Sequence, residues 1–495
     1  MPAASSKTSP IAPRSSSKTS SALVRFLFEP VPMDLLVYFR FIFGGIMLWE
    51  VFRYVQRGLV QAMYVQPIFH FKYYGFGWIE PWSALGMKWH FIVLGIAAFC
   101  MMIGFCYRLA AVIVFLSFSY IFLLDQAYYL NHFYLVSVVS FIMCLLPAHR
   151  AHSIDALLRP AIKTNIMPAW MLWLLRLQIG IPYFFGAIAK MESDWLSGVP
   201  VLLMVEPAEN FPVMVSWFSE PVVVFFFTFS GLLFDLLIVP ALLWRRTRWL
   251  AVAAAIIFNG TNHWLFQIGI FPWFMLLSTP LFFPPTCLQE GDEWVKDVQK
   301  KGKEQFAKWT TSWKPTLVIV LLSLHFSIQI FLPFRHFLYP GRVNWTEEGH
   351  RFAWHMKLRI KETTDARFFA RSTSNKILQE FNVNDYLNNR QARTMPKRPD
   401  MILQFAHLLA EDYAKKHNGK RVAITAEIYC SLNFREPQLL VDPHINLAAI
   451  PRNLKHARWV LPLNTPYISL QSVKDLPAEN GQDELPPSPT PLESY

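Results

Sequence analysis

The sequence predicts a mainly α-helical, polytopic membrane bundle of about nine spans, with a small extramembrane α+β region toward its C-terminus. Three observations predict it. Apolar residue types make up 53% of the 495 residues and charged types only 16%, far from the balance of a soluble domain. Apolar runs recur at 33–52, 90–106, 109–124, 128–147, 168–189, 222–243, 249–270, 272–284 and 316–334, most of them near the ~20 residues needed to cross the hydrocarbon. Beyond residue 340 the texture changes to that of an ordinary folded domain.

Taken in order, residues 1–24 are rich in Ser, Thr, Ala and Pro with scattered positive charge. They lack the apolar core of a cleaved signal peptide and read as a disordered cytoplasmic tail. Residues 25–340 hold the spans and form the expected catalytic bundle; the run 272–284 is short enough to be tilted, re-entrant or fused to its predecessor. In the expected external domain, 341–472, Phe352, Trp354, Met356, Leu358 and Ile360 alternate, as do Val422, Ile424, Ala426 and Ile428, which predicts strands. Between them, Pro399 to His417 has helical periodicity and is closed by Asn418 and Gly419. The Pro-rich, acidic stretch 473–495 reads as a second disordered tail.

Charge sets an expected orientation. Lys7, Arg14, Lys18 and Arg25, then Arg150, Arg159 and Lys163, then Arg245, Arg246 and Arg248, and the lysine-rich 285–315 connection all fall on one side of a nine-span chain. The connection 190–221 falls on the other, with Glu192, Asp194, Glu206, Glu209 and Glu220. The positive-inside rule then puts the N-terminus in the cytoplasm and the C-terminal region outside. Arg53, Arg57, Lys72 and Lys88 run against that assignment. The net charge of +12 is thus a loop bias rather than a nucleic-acid surface. The five cysteines match no zinc or haem spacing, so no metal is expected. No glycine-rich nucleotide motif accompanies a strand, so a cofactor would arrive from the lipid.

Polar residues inside spans are costly and therefore informative. At ~1.5 Å per residue, Arg40, Arg176 and Asp235 sit at a similar depth, roughly 10–13 Å from the cytoplasmic ends of their spans. They predict a buried charge cluster that pins three helices, or else an ion path. A second group points to the outer leaflet: Asp125, Asn131, His132, Lys190, Asn262, His263 and His336. Each has a plain structural reading as a helix-end charge or a core-bonded histidine. Lys190 also has a chemical one, because an ammonium stripped of water becomes a neutral amine able to act as a base. Against it stand the helix C-terminus and the nearby Glu192 and Asp194, which favour the charged form.

Several segments carry a resemblance. FRFIFG (39–44), GFCYRLAAV and FLSFSYIFLLD (104–125), LNHFYLVSVVSF (130–141), HSIDALL (152–158), LRLQIGIPYFFGAIAKMESDWLSG (175–198), LFQIGIFPWFMLLSTPLFF (265–283) and RHFLYPGRVNW (335–345) resemble the vitamin K-dependent γ-carboxylase family. The resemblance implies a membrane enzyme that couples epoxidation of vitamin K hydroquinone by O2 to removal of a γ-proton from glutamate and capture of the carbanion by CO2. It implies that Lys190 is the base toward the quinol and that His132 assists it. Together with the outer-leaflet grouping, it leaves Asn131, His263, Asp125 and His336 as candidate cofactor-binding residues. The implied partners are the bilayer, the quinol and a Glu-containing peptide or protein. The chain departs from the animal enzymes in having Ala189 where they carry a second lysine, and in a shorter external portion. That suggests a bacterial member in the inner membrane. Two other readings stay open: quinol oxidation and epoxidation without carboxylation, and a quinone- or lipid-binding membrane protein whose external domain recruits a partner.

Overall fold

The computed structural model describes residues 22–205, 220–266, 269–287, 305–306, 308–310, 315–372, 376–468 and 470. Each apolar run expected to span is helical: α1 Asp34–Gln56, α2 Ala84–Ile103, α3 Tyr107–Leu124, α4 Asn131–Leu145, α5 Trp170–Lys190, α6 Pro221–Leu243, α7 Arg248–Phe266, α8 Phe271–Ser278 and α9 Pro315–Phe334. Among the described residues, six are long and apolar enough to cross a membrane: α1, α2, α3, α5, α6 and the stretch from α9 to Leu338. The chain is an integral membrane protein. Helix α4 and the α8 stretch are apolar but shorter. The tail expected at 473–495 and residues 1–21 of the one expected at 1–24 lie outside the described residues; at 22–24 the expectation fails, because Ala22–Phe28 is helical.

The local chemistry of the helix ends is readable. Ser83 accepts the Gly86 amide at the start of α2, and Gly104 closes that helix in the left-handed conformation, its amide donating to Cys100 and Met101 carbonyls. A Cβ on Gly104 would also lie 2.5 Å from Ser153 and 3.0 Å from Arg40, so the residue must be glycine twice over. Helices α1 to α4 pack in sequence order, with Phe39, Phe43 and Phe274 interlocked between α1 and α8.

Helices α5 and α6 run antiparallel in a register set by small residues. Gly180 faces Val239, Gly186 faces Asp235, and Gly198, beyond the end of α5, faces Val224 and Thr228. Small residues at such positions let helix backbones approach closely. That register corrects one expectation. Lys190, placed by sequence at a membrane boundary, instead meets α6 well inside its length, at Gly231 and Asp235.

The C-terminal region is a four-stranded antiparallel sheet in the order β4–β3–β5–β6, made from β3 Lys361–Arg371, β4 Ile377–Phe381, β5 Ala423–Leu432 and β6 Gln438–Leu439. A further two-stranded ladder, β1 Pro30–Pro32 with β2 Ile166–Pro168, lies at the other end of the bundle. Helix α10, Pro399–Lys416, covers the four-stranded sheet and packs Phe405 edge-on against Phe368. Proline at its first position and left-handed Asn418 and Gly419 after its end bound it. The alternation at 422–428 is strand β5 as expected.

The alternation at 352–360 is not a strand. Ala353, Trp354 and His355 are buried consecutively, and Phe352, Trp354 and Lys357 adopt left-handed backbone. A strand needs a neighbour for its amides, and the ladder begins only at Lys361. The segment is a wedge driven into the bundle. Such backbone costs about 1–3 kcal/mol per residue unless packing holds it; here Phe352 sits among Tyr73, Phe122, Tyr129 and Tyr134.

Candidate active site

Lys190 is the last residue of α5, and its amine is turned inward. The side chain is 8% exposed and its Nζ donates to the Asp235 carboxylate. The Gly231 carbonyl lies at 3.5 Å and the Trp195 ring centroid at 5.5 Å. Asp235 reaches the amine because Gly186 has no side chain: a Cβ there would sit 3.0 Å from Asp235 Oδ2 and 3.7 Å from the Met356 methyl. Inside the bundle the pair is shielded on several sides, where electrostatic interactions are strong and unpaired charge is expensive.

The wedge ties this pair to the start of α4. Asn131 Nδ2 donates to the His355 carbonyl at 3.0 Å, one residue before Met356. Tyr129 Oη donates to Asn131 Oδ1 at 2.8 Å and accepts the Phe352 amide at 2.6 Å. His336, in the turn after α9, donates from Nδ1 to the Pro333 carbonyl at 2.7 Å; its ring lies 5.0 Å from that of His355. Gly349 makes this possible, since a Cβ there would come within 2.6 Å of His336 backbone. His132 is buried next to Asn131 and stacks on Phe271 at 5.5 Å. The structure thus gathers Lys190, Asn131 and His336 around the wedge, with His132 on the adjoining side.

Two of the sequence-predicted residues stand apart. Asp125 is enclosed where the bundle meets the C-terminal region: its Oδ1 accepts the Ala127 amide at 2.8 Å, and its Oδ2 accepts Gln391 Nε2 at 2.7 Å, with His70 Nδ1 at 3.3 Å. Gln391 also caps its own short helix, Asn389–Thr394, so Asp125 serves docking. His263 is exposed on α7 and meets Trp273 edge-on at 5.1 Å. It faces outward from α8, whose Phe271 lies against His132.

The expected cluster of Arg40, Arg176 and Asp235 does not form. Arg40 donates to the carbonyls of Met102, Ala148, Ala151 and His152 at 2.6–3.3 Å. Arg176 donates to those of Leu281 and Phe283, both at 2.6 Å. Each satisfies carbonyls left over at chain reversals. Equal depth, inferred by counting residues, did not mean equal azimuth around the bundle. Asp235 faces α5 and Lys190 instead.

Below the pair, a polar chain leads outward. Glu192, two residues after Lys190, accepts from Asn344 Nδ2. Asn344 Oδ1 accepts from Arg359 at 3.2 Å, and Arg359 also meets His350 Nε2 at 2.9 Å and pairs with Glu347. Burial, with Asp194 adding to it, pushes the Glu192 carboxyl up to about 7. Burial lowers His355 to about 3 and His350 well below the ordinary histidine range, so both imidazoles are neutral. Burial would raise Glu347, but the charges of Arg359 and Lys361 outweigh it and hold the carboxyl far below its usual range. Asp194 is likewise opposed by burial and held low by Arg435, which meets it at 2.7 and 2.8 Å, with Asn433 and Arg342 adding to the effect. The turn that follows Lys190 is thereby latched to the C-terminal region.

The sequence reading missed the wedge, the Lys190–Asp235 contact, and a further polar group inside the spans: Tyr134 and Gln178 share the Gln329 amide oxygen, and His325 meets Gln178 at 2.9 Å. Gln178, His325 and Gln329 lie in apolar runs, and their cost in such a place was the available signal.

Comparison with known families decides between a helical bundle of unspecified purpose and a particular kind. The HTTM domain model matches residues 28–286, over half of the chain, and a second model, the vitamin K-dependent gamma-carboxylase lumenal domain, matches 314–466. The chain belongs to the vitamin K-dependent γ-carboxylase family. Within that family frame, Lys190, Asn131, His132 and Asp235 fall in the HTTM match, whereas His336 and the wedge fall in the lumenal-domain match. The site is built where the two meet. No solved structure matches the chain.

Proposed function

We propose that this membrane protein is a vitamin K hydroquinone-dependent glutamyl γ-carboxylase, in which Lys190 is the base toward the quinol. The observation that carries the reading is the buried Lys190 amine, presented beside the wedge and the Asn131 end of α4 rather than to bulk water. The surroundings fit an amphipathic diphenol. Trp195, Phe271, Phe352 and Trp354 supply aromatic surface, while His355 Nδ1 and Trp354 Nε1 are buried without a hydrogen-bond partner.

Removing a proton from the glutamate γ-carbon is beyond any tuned side chain. The reduced vitamin, on reacting with O2, supplies that basicity, and CO2 is the final electrophile. The protein's tasks are then defined. Lys190 in its amine form takes a proton from a quinol hydroxyl. Asn131 and His132, at the start of a helix, stand where donors and the helix terminus favour developing negative charge. The packed wedge keeps water away from the reacting groups. On this reading the glutamyl substrate enters from the side of the C-terminal region, which the positive-inside rule would have face out of the cell, in a bacterial inner membrane.

The test is to incubate purified protein with reduced vitamin K, O2, labelled bicarbonate and a Glu-containing peptide, measuring both epoxide and incorporated label. Both products are expected, and both are lost in Lys190→Ala. Undiminished activity in that variant overturns the assignment of the base. Epoxide without label would replace carboxylation by epoxidation alone, and binding of quinol without O2 consumption would reduce the protein to a carrier.

A further inference from the structure

We infer that Asp235 is a positioning residue that shares one proton with Lys190 and so makes the neutral amine available without loss of a proton to solvent. This rests on the reading of Lys190 as the base. Two carboxylates follow Lys190 closely in the chain, Glu192 and Asp194, and their partners show why Asp235 is singled out. Glu192 turns away to accept from Asn344. Asp194 is enclosed by Arg435, Asn433 and Arg342, a surround that keeps it ionised. Asp235 is 6% exposed, and among the described residues its carboxylate has one hydrogen-bond donor, the Lys190 amine. Its neighbours on α5 include Tyr183 and the Gly186 backbone.

An ion pair whose carboxylate has no second donor, and whose ammonium has only the Gly231 carbonyl at 3.5 Å and the Trp195 ring besides, is weakly supported against its neutral form in a poorly polarisable site. Moving one proton across the single Lys190–Asp235 hydrogen bond converts ammonium and carboxylate into amine and carboxylic acid, with no change in net charge. In the second form the lone pair of Lys190 Nζ is free. When the quinol O–H bond breaks, its proton forms the new N–H bond and its electron pair stays on oxygen. Asp235 retains the proton it received, so the pair gains one positive charge beside the new phenolate. Gly186 sets the approach that allows the transfer, and the Gly231 carbonyl keeps the amine oriented.

Because the pair carries one proton across a wide range of pH, the rate of epoxide formation is expected to be nearly flat where an isolated amine would titrate. Asp235→Asn keeps size and an oxygen acceptor but cannot exchange a proton. It is expected to lower epoxide formation at least tenfold at neutral pH, with the rate climbing as pH rises, while Asp235→Glu restores the flat profile at a reduced rate. An infrared difference measurement on protein without quinol gives a second readout. A protonated-carboxyl band, shifted by deuterium exchange, is expected in wild type and absent from Asp235→Asn, and it persists in Lys190→Ala, where the buried carboxyl has lost its cation and takes up a proton. Thermal melting establishes that each variant is folded; if Asp235→Asn does not fold, the wild-type band and the Asp235→Glu profile decide. A wild-type profile in Asp235→Asn, an equal loss at every pH, or no carboxyl band would each overturn the inference. Activity surviving in Lys190→Ala would instead strike the base assignment itself, which separates the two failures.

Discussion

Two sets of charges lie inside this bundle, and they are used in opposite ways. Among the described residues, Arg40 and Arg176 donate to backbone carbonyls at chain reversals, up to four from one guanidinium, and to no side chain. Lys190 and Asp235 have little beyond each other. A guanidinium with its donors occupied is chemically closed, because it is always charged and each of its bonds holds a chain in place. An amine facing one carboxylate is open to proton movement. The number and kind of partners, more than burial or depth, separate structural charge from reactive charge in this membrane interior.

The comparison can be broken most directly at Lys190. Lys190→Ala is expected to reduce epoxide formation by at least 100-fold, within the range for loss of a general base, with the protein still extractable as a folded species. Arg40→Met should do the reverse. It strands the carbonyls of Met102, Ala148, Ala151 and His152, and at roughly 1–3 kcal/mol per unsatisfied buried group the apparent Tm should fall sharply. Activity per folded molecule should stay near wild type. A stable Arg40→Met protein, or a folded one without activity, would erase the distinction.

A finer test lies at Gly186. An added methyl would press on Asp235 Oδ2 at 3.0 Å and on Met356, so Gly186→Ala should cost about tenfold in rate, from displacement of well under 1 Å, with a small change in Tm. Rates unchanged in this variant would mean that the close approach of α5 and α6 has no chemical purpose.

The smallest effect on rate concerns the outward polar chain. The Glu192 carboxyl is raised in the folded protein to about 7 by burial and by Asp194, against about 4.3 unfolded. Between those values the folded state binds more protons than the unfolded one, so stability falls as pH rises from about 4.3 to about 7. Glu192→Gln should therefore gain on wild type at pH 8, by roughly 3 kcal/mol at most at ~1.4 kcal/mol per pH unit, and show no advantage near pH 4, read as apparent Tm in the same detergent. Equal stability of the two at every pH would show the carboxyl to be hydrated. Asp194 and Glu347 contribute with the opposite sign. Their carboxyls are held low by arginine neighbours, so the stability they add is present above about pH 4 and is lost on further acidification.

Much of this protein was determined by sequence alone, for reasons of solvent. A helix crossing hydrocarbon must be long, apolar and internally hydrogen-bonded, so composition and run length were enough to mark the membrane class and the six helices long enough to cross, though three of the nine expected spans are helices that fall short of that standard among the described residues. Period-two burial marked β5, and proline before with Asn-Gly after marked α10. The residues Lys190, Asn131, His132 and His336 were legible as polar groups in expensive places, and the resemblance joined them to a chemistry. Tertiary structure alone decided which of them meet. Counting along helices gives depth but not rotation, so Asp235 was grouped with two arginines that point elsewhere. Alternation at 352–360 was mistaken for a strand because a wedge buried on several sides also alternates in polarity, and only the absence of a pairing neighbour and the left-handed backbone tell them apart. The contact between Lys190 and Asp235 depends on two helices passing at a glycine, a relation between distant positions that no local pattern encodes.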